Sequence, residues 1–117
     1  MKPIVFAFAL LLPLTACAQE MTAGDLLDLC NSPTPLVRRT CSRYILGIVQ
    51  GVGLADAVTG KRSLFCVPEG VTEDRMMLVF LNVANTLRVA YPKDMELAAP
   101  GIVGAAMRKT FPCAGSR

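Results

Sequence analysis

Apolar residues recur every three or four positions along most of the chain, a period that predicts amphipathic helices. The longest predicted helix runs from about Pro35 to Val58, and its apolar stripe consists of Val37, Cys41, Tyr44, Ile48 and Val52. A second stripe consists of Met76, Phe80, Val83, Leu87 and Ala90. No stretch alternates apolar and polar residues for long enough to predict a strand. The pattern therefore predicts an all-α fold.

Polar residues mark the expected helix ends. Thr22 and Asp25 have the spacing of a capping box and predict a short first helix. Thr72 precedes two acidic residues and predicts the start of a third helix, which Pro92 ends. Asp94 is expected to cap a fourth helix that reaches about Phe111. Short connections between four helices predict a small antiparallel bundle.

Two local features leave questions open. Pro100 must either kink the fourth helix or begin its regular part. Gly47 and Gly51 lie inside the second helix, where each costs up to about 1 kcal/mol relative to alanine. The expected explanation is close packing of a neighbouring helix at these two glycines.

The first 18 residues have the layout of a bacterial secretory signal. Lys2 precedes an apolar run that is too short to span a bilayer, and small residues follow it. Cleavage before Gln19 would release the protein, whereas a lipobox ending at Cys17 would leave an acylated cysteine. Both routes predict a periplasmic mature protein with one domain over residues 19–117, held at the membrane only if Cys17 is acylated.

The predicted periplasmic location determines the oxidation state of the other four cysteines. Cys30, Cys41, Cys66 and Cys113 are expected to form disulfides, because exported thiols oxidise. Zinc is disfavoured, since the chain has no His and no Cys-x-x-Cys pair. A tight turn between the first two helices favours Cys30–Cys41. Antiparallel third and fourth helices favour Cys66–Cys113.

Composition argues against catalysis and nucleic-acid binding. Without His, the commonest general base is missing. Glu69, Glu73 and Asp74 lie at a loop and a helix start, where carboxylates usually serve as solvated caps. No cofactor motif is present, so no cofactor is expected. The net charge is only +3, no basic run is longer than Arg38-Arg39, and Trp is absent, which disfavours nucleic acid.

A protein-binding role remains, with an exposed loop as its first candidate. Lys61 and Arg62 lie in a loop tethered by Cys66, which could enter a partner's groove or be an ordinary solvated turn. The candidate contact residues for a protein partner are Lys61, Arg62, Glu69, Tyr91 and Lys93.

Five segments together resemble the Rap/Tai family of type VI secretion immunity proteins. They are "LLDLC", "CSRYILGIVQG", "FCVPEGVTEDRM", "VANTLRVAYP" and "AAMRKTFPC", in the family's order and spacing over most of residues 24–113. Tyr91 stands where many relatives have a histidine. The resemblance implies a helical periplasmic protein, often dimeric, that plugs the cleft of a peptidoglycan amidase effector and catalyses nothing itself.

Two other classes remain as alternatives. One is a small periplasmic chaperone that exposes apolar surface in acid, although nine acidic residues and no His would make a weak acid switch. The other is a structural envelope lipoprotein, which acylation of Cys17 would favour.

Overall fold

Helices dominate the computed structural model, which describes residues 19–114. The four α-helices are α1 (Ala23–Cys30), α2 (Pro35–Thr59), α3 (Glu73–Ala90) and α4 (Ala99–Thr110), with a short 3-10 helix at Pro92–Glu96. Between residues 19 and 114 no strand forms, and β-pairing is limited to one isolated antiparallel bridge, Thr22 with Ala98. The predicted all-α fold is confirmed. The predicted targeting segment, with Cys17, lies outside the described residues.

Side-chain caps fix two of the helix starts where the sequence predicted them. The Thr22 hydroxyl accepts a hydrogen bond from the Asp25 backbone N–H at 3.1 Å, and the Asp25 carboxylate accepts one from the Thr22 N–H at 3.3 Å. At α3, the Thr72 hydroxyl accepts from the Arg75 N–H at 3.2 Å. Each cap contributes about 1 kcal/mol because it satisfies an N–H that has no partner inside the helix.

The predicted start of the fourth helix at Asp94 is wrong. Asp94 lies inside the 3-10 helix, and α4 begins only at Ala99, with Pro100 in its first turn. The segment between them is held extended, because the Ala23 N–H donates to the Leu97 carbonyl at 2.8 Å and the Ala99 N–H donates to the Met21 carbonyl at 2.9 Å. Pro100 therefore begins the regular helix, where its missing N–H costs nothing.

All four helices contribute to a single hydrophobic core. Its largest fully buried side chains are Leu26, Leu27, Cys30, Cys41, Ile45, Phe80, Val103 and Met107. Each helix contacts the other three, so every apolar stripe has a partner. Burial of this kind contributes roughly 1.5–3 kcal/mol for each large side chain, relative to leaving it in water.

Two polar contacts show how α2 lies beside α3. The Asn31 side-chain amide, just before α2, donates to the Asn85 amide oxygen at 3.3 Å, and Arg43 pairs with Glu73 at 3.2 Å. The two helices therefore run in opposite directions, and α3 begins beside the first half of α2. The remainder of α2 extends beyond the start of α3. The antiparallel order of the whole bundle stays a prediction.

The packing predicted at Gly47 and Gly51 is not found. Both residues are exposed, and a Cβ added at either one would meet no atom within 4 Å. These glycines lie on the outward side of α2, which no other helix between residues 19 and 114 covers. The expectation of a close neighbouring helix is therefore wrong within this chain.

Candidate partner-binding surface

The two disulfides are Cys30–Cys41 and Cys66–Cys113, the pairing that the sequence predicted. Cys30–Cys41 lies in the core, with exposed fractions of 1% and 0%. Cys66–Cys113 joins the loop after α2 to the segment after α4, with the two Cα atoms 4.8 Å apart. The Cys66 N–H also donates to the Phe111 carbonyl at 2.8 Å, so the loop is fixed against the end of α4.

The loop between α2 and α3 begins at a left-handed glycine. Gly60 has φ 65°, which glycine adopts without strain, and its N–H donates to the Asp56 carbonyl to close α2. Further along, Phe65 is buried while Leu64 is 64% exposed. The chain bends at Leu64, which leaves this side chain outside while Phe65 enters the core.

Leu64 and α4 line a groove of about 590 Å³, called here the α4 groove. Its lining residues are Leu64, Pro100, Gly101, Gly104, Ala105, Arg108 and Lys109. Because most of these residues on α4 are small, the space above the helix stays open. The groove is thus apolar along its length and basic at one end.

Two basic residues that line the groove and two in the neighbouring loop are together called here the basic rim: Arg108, Lys109, Lys61 and Arg62. Arg108 and Lys109 line the groove in the last turn of α4, where the helix dipole also favours cations. Lys61 and Arg62 precede Leu64 by three and two residues, so their Cα atoms lie within about 11 Å of it. No acidic side chain lines the groove.

The projecting part of α2 also carries exposed apolar residues. Leu54 and Val58 are 67% and 77% exposed, and their spacing of four residues places them on one side of the helix. We call this region the loop end: the residues of α2 from Leu54 onward, the loop of residues 60–72 and the end of α4. It combines exposed apolar side chains with the basic rim.

The structure divides the five predicted contact residues between separate places. Lys61 and Arg62 are exposed at the loop end, and Glu69 is exposed beside a turn at Gly70, away from the α4 groove. Tyr91 and Lys93 are exposed after the far end of α3, about 25 Å further along that helix. The five residues therefore do not form one site.

Sequence reasoning missed Leu64, Arg108 and Lys109. A signal for them existed, because the predicted Cys66–Cys113 pairing brings the loop near the end of the fourth helix. The exposure of Leu64, however, depends on the burial of its neighbour Phe65, which only the fold shows.

A second groove, of about 630 Å³, lies between α2 and the start of α3 and has mixed charge. Its Arg43 pairs with Glu73, and its Arg38 donates to the carbonyls of Ser32 and Pro33 at 2.8 and 3.0 Å. Because these arginines already serve the protein's own chain, this groove is a weaker candidate for a partner.

The described residues offer little reactive chemistry. All four cysteines from residue 19 to residue 114 are in disulfides, and no cluster of three or more His, Cys, Asp or Glu side chains within that range could hold a metal ion. Burial raises the pKa of the Tyr44 hydroxyl, and the Glu20 carboxylate raises it further, so this phenol is neutral at ordinary pH.

In the part of the chain that the structure describes, none of the helices has the length and apolar character needed to cross a membrane.

Comparison with known proteins identifies the family. No curated protein and no solved structure matches the chain. The family model described as Rap1a immunity proteins matches residues 22–113, which include all four helices, both disulfides and the α4 groove. This match covers most of the 117 residues, so the chain belongs to the Rap1a immunity protein family.

Proposed function

We propose that this protein is a periplasmic immunity protein that binds and neutralises an effector of a type VI secretion system. The observation that carries the proposal is the family match over residues 22–113. Membership implies a secreted effector as the binding partner. The secretion system follows from the resemblance of the segments quoted above, and the periplasm from the apolar N-terminal segment and the disulfides.

The proposed target is a peptidoglycan amidase, which the protein inhibits by occupying its active-site cleft. Occlusion requires an exposed surface whose shape exists before binding, because ordering a loop on binding reduces affinity. The loop end meets this requirement, since Cys66–Cys113 and the buried Phe65 fix the loop in advance. In this mechanism the protein contributes contacts and no reaction step.

A homodimer is a further part of the proposal, and it rests on the family resemblance alone. Sedimentation equilibrium of the mature protein would give twice the mass of one chain. A single-chain mass at concentrations that still neutralise the effector would contradict the dimer and leave the immunity role intact.

Toxicity in the periplasm tests the proposed function. Each gene next to the one for this protein is expressed in a bacterial host with a signal that exports its product, alone and together with this protein. We expect one product to lyse the cells, and the full-length immunity protein to prevent lysis. A matched version that lacks residues 1–18 should stay in the cytoplasm and give no protection.

Purified components test the mechanism. The toxic product should release peptide fragments from purified peptidoglycan, and release should stop at an equimolar amount of this protein. Lack of rescue and of any complex with every neighbouring product would contradict the immunity role. Rescue without loss of amide-bond hydrolysis would contradict the amidase target.

A further inference from the structure

We propose that the α4 groove is the docking site for an acidic segment of the effector that carries one apolar side chain. The apolar side chain would lie between Leu64 and α4, and the flanking carboxylates would pair with the basic rim. This inference rests on the proposed function and goes beyond it, because it assigns both the surface and the chemistry of the segment that fills it.

The space above α4 is open to a partner's side chain. Gly101 and Gly104 lie inside the helix, where glycine is less favourable than alanine. Neither has a positive φ, and a Cβ added at either would meet no atom within 4 Å. At Gly24, by contrast, a Cβ would come within 3.2 Å of the Met95 carbonyl oxygen, so the fold itself leaves little room for a side chain there.

The groove and its basic rim carry positive charge. None of the four rim side chains takes part in either ion pair found in residues 19–114, whereas Arg43 and Arg88 pair with Glu73 and Asp28. Arg62 and Arg108 can each bind a carboxylate through two parallel N–H donors. A partner with carboxylates beside its apolar side chain therefore matches the groove, and a basic partner would be repelled.

The wall of the groove is already ordered before a partner binds. Leu64 lies between Ser63, whose hydroxyl donates to the Phe65 carbonyl at 2.7 Å, and the buried Phe65. Cys66 then joins the loop covalently to Cys113. Little conformational entropy is lost when a side chain enters a wall that is already ordered.

The test fills the groove without disturbing the fold. Gly104→Leu places a bulky side chain in the groove, while Gly47→Leu makes the same chemical change on the uncovered side of α2, outside the loop end. Both variants replace a helical glycine with a good helix former, so both should melt no lower than wild type. The probe is the purified effector identified by the neutralisation experiment.

We expect Gly104→Leu to weaken effector binding at least about tenfold in Kd and to reduce protection of cells, while Gly47→Leu behaves as wild type. Equal binding by both folded variants would overturn the docking site, as would a loss confined to Gly47→Leu. If wild type itself neutralises no effector, the proposed function fails instead, which separates the two outcomes.

A peptide probe needs no effector. A short peptide with a central Phe between glutamates should shift the backbone amide resonances of Leu64, Gly101 and Gly104 in the mature protein. Its counterpart with lysines in place of the glutamates should leave them unchanged. Absence of shifts at millimolar acidic peptide, or equal shifts with the basic one, would overturn the assigned chemistry.

Discussion

The two disulfides lie in opposite environments. Cys30–Cys41 is enclosed in the core among α1, α2 and their neighbours, whereas Cys66 is exposed and Cys113 is half-buried. Chain entropy alone would rank them by loop length, at about 3 kcal/mol for the short loop and about 4 kcal/mol for the long one. Burial adds a packing contribution only to the first. One disulfide is thus part of the hydrophobic core, and the other holds a surface in place.

The side chains around each disulfide show the same contrast. Near the first, Leu26, Leu27 and Ile45 are fully buried. Near the second, Leu64 is largely exposed, and so are Leu54 and Val58 on the projecting half of α2. The packed region stabilises the fold, whereas the loop end leaves apolar side chains exposed.

Loss of the buried disulfide should have the largest effect. Cys30→Ala with Cys41→Ala is expected to lower the free energy of unfolding by about 4 kcal/mol, from loop entropy and from the space left by two buried sulfur atoms. Urea denaturation measures the change. Leu54→Ala, at an exposed site, is the control and should change stability by no more than about 0.5 kcal/mol. A comparable loss in both variants would remove the contrast between the two regions.

The two disulfides should also differ in their rate of reduction. Under native conditions, Cys66–Cys113 is open to a reductant, whereas Cys30–Cys41 requires a local opening of the core. If that opening costs about 3 kcal/mol, the exposed disulfide reacts roughly 100 times faster. Alkylation with mass spectrometry over time measures both rates. Equal rates would show that the core end opens as readily as the loop end.

Reversal of one charge at each end of the molecule should affect binding unequally. Lys109→Glu, in the basic rim, is expected to weaken effector binding about tenfold, mainly through a slower association rate that depends on salt. Lys93→Glu is its matched control at the far end of α3. Surface plasmon resonance at two ionic strengths measures the association rates of the two variants. A larger effect at Lys93 would move the binding surface to the region that contains Tyr91.

The smallest effect is expected at an ion pair outside both regions. Arg88 donates to the Asp28 carboxylate at 2.8 Å, and these side chains are 41% and 71% exposed. Arg88→Ala should therefore lower the free energy of unfolding by less than about 1 kcal/mol, because exposed ion pairs are screened by solvent. Thermal denaturation checks this, and a loss above about 2 kcal/mol would show that the contact supports the core.

Local signals in the sequence predicted much of the fold. The Thr22 and Thr72 caps, the apolar stripes and the cysteines near helix ends each act over a few residues, so the sequence alone was sufficient. The start of α4 was missed because it depends on pairing between residues 21–23 and 97–99, which are distant in the chain. Gly47 and Gly51 were misread because their exposure depends on how α2 lies against the other helices.

The binding surface was only half predictable for the same reason. Lys61 and Arg62 are recognisable from composition as an exposed loop. Leu64 becomes part of a groove only when Phe65 is buried and α4 lies alongside, and Arg108 joins it only through that tertiary contact. Local composition identified the loop that carries Lys61 and Arg62, and the fold supplied the groove beside it.

Hydrogen–deuterium exchange of the protein, free and in complex with the effector it neutralises, locates the binding surface. Binding at the loop end predicts slower exchange for the amides of residues 61–67 and 101–110, with residues 88–97 unchanged. Slower exchange at residues 88–97, with the loop end unchanged, would contradict the account.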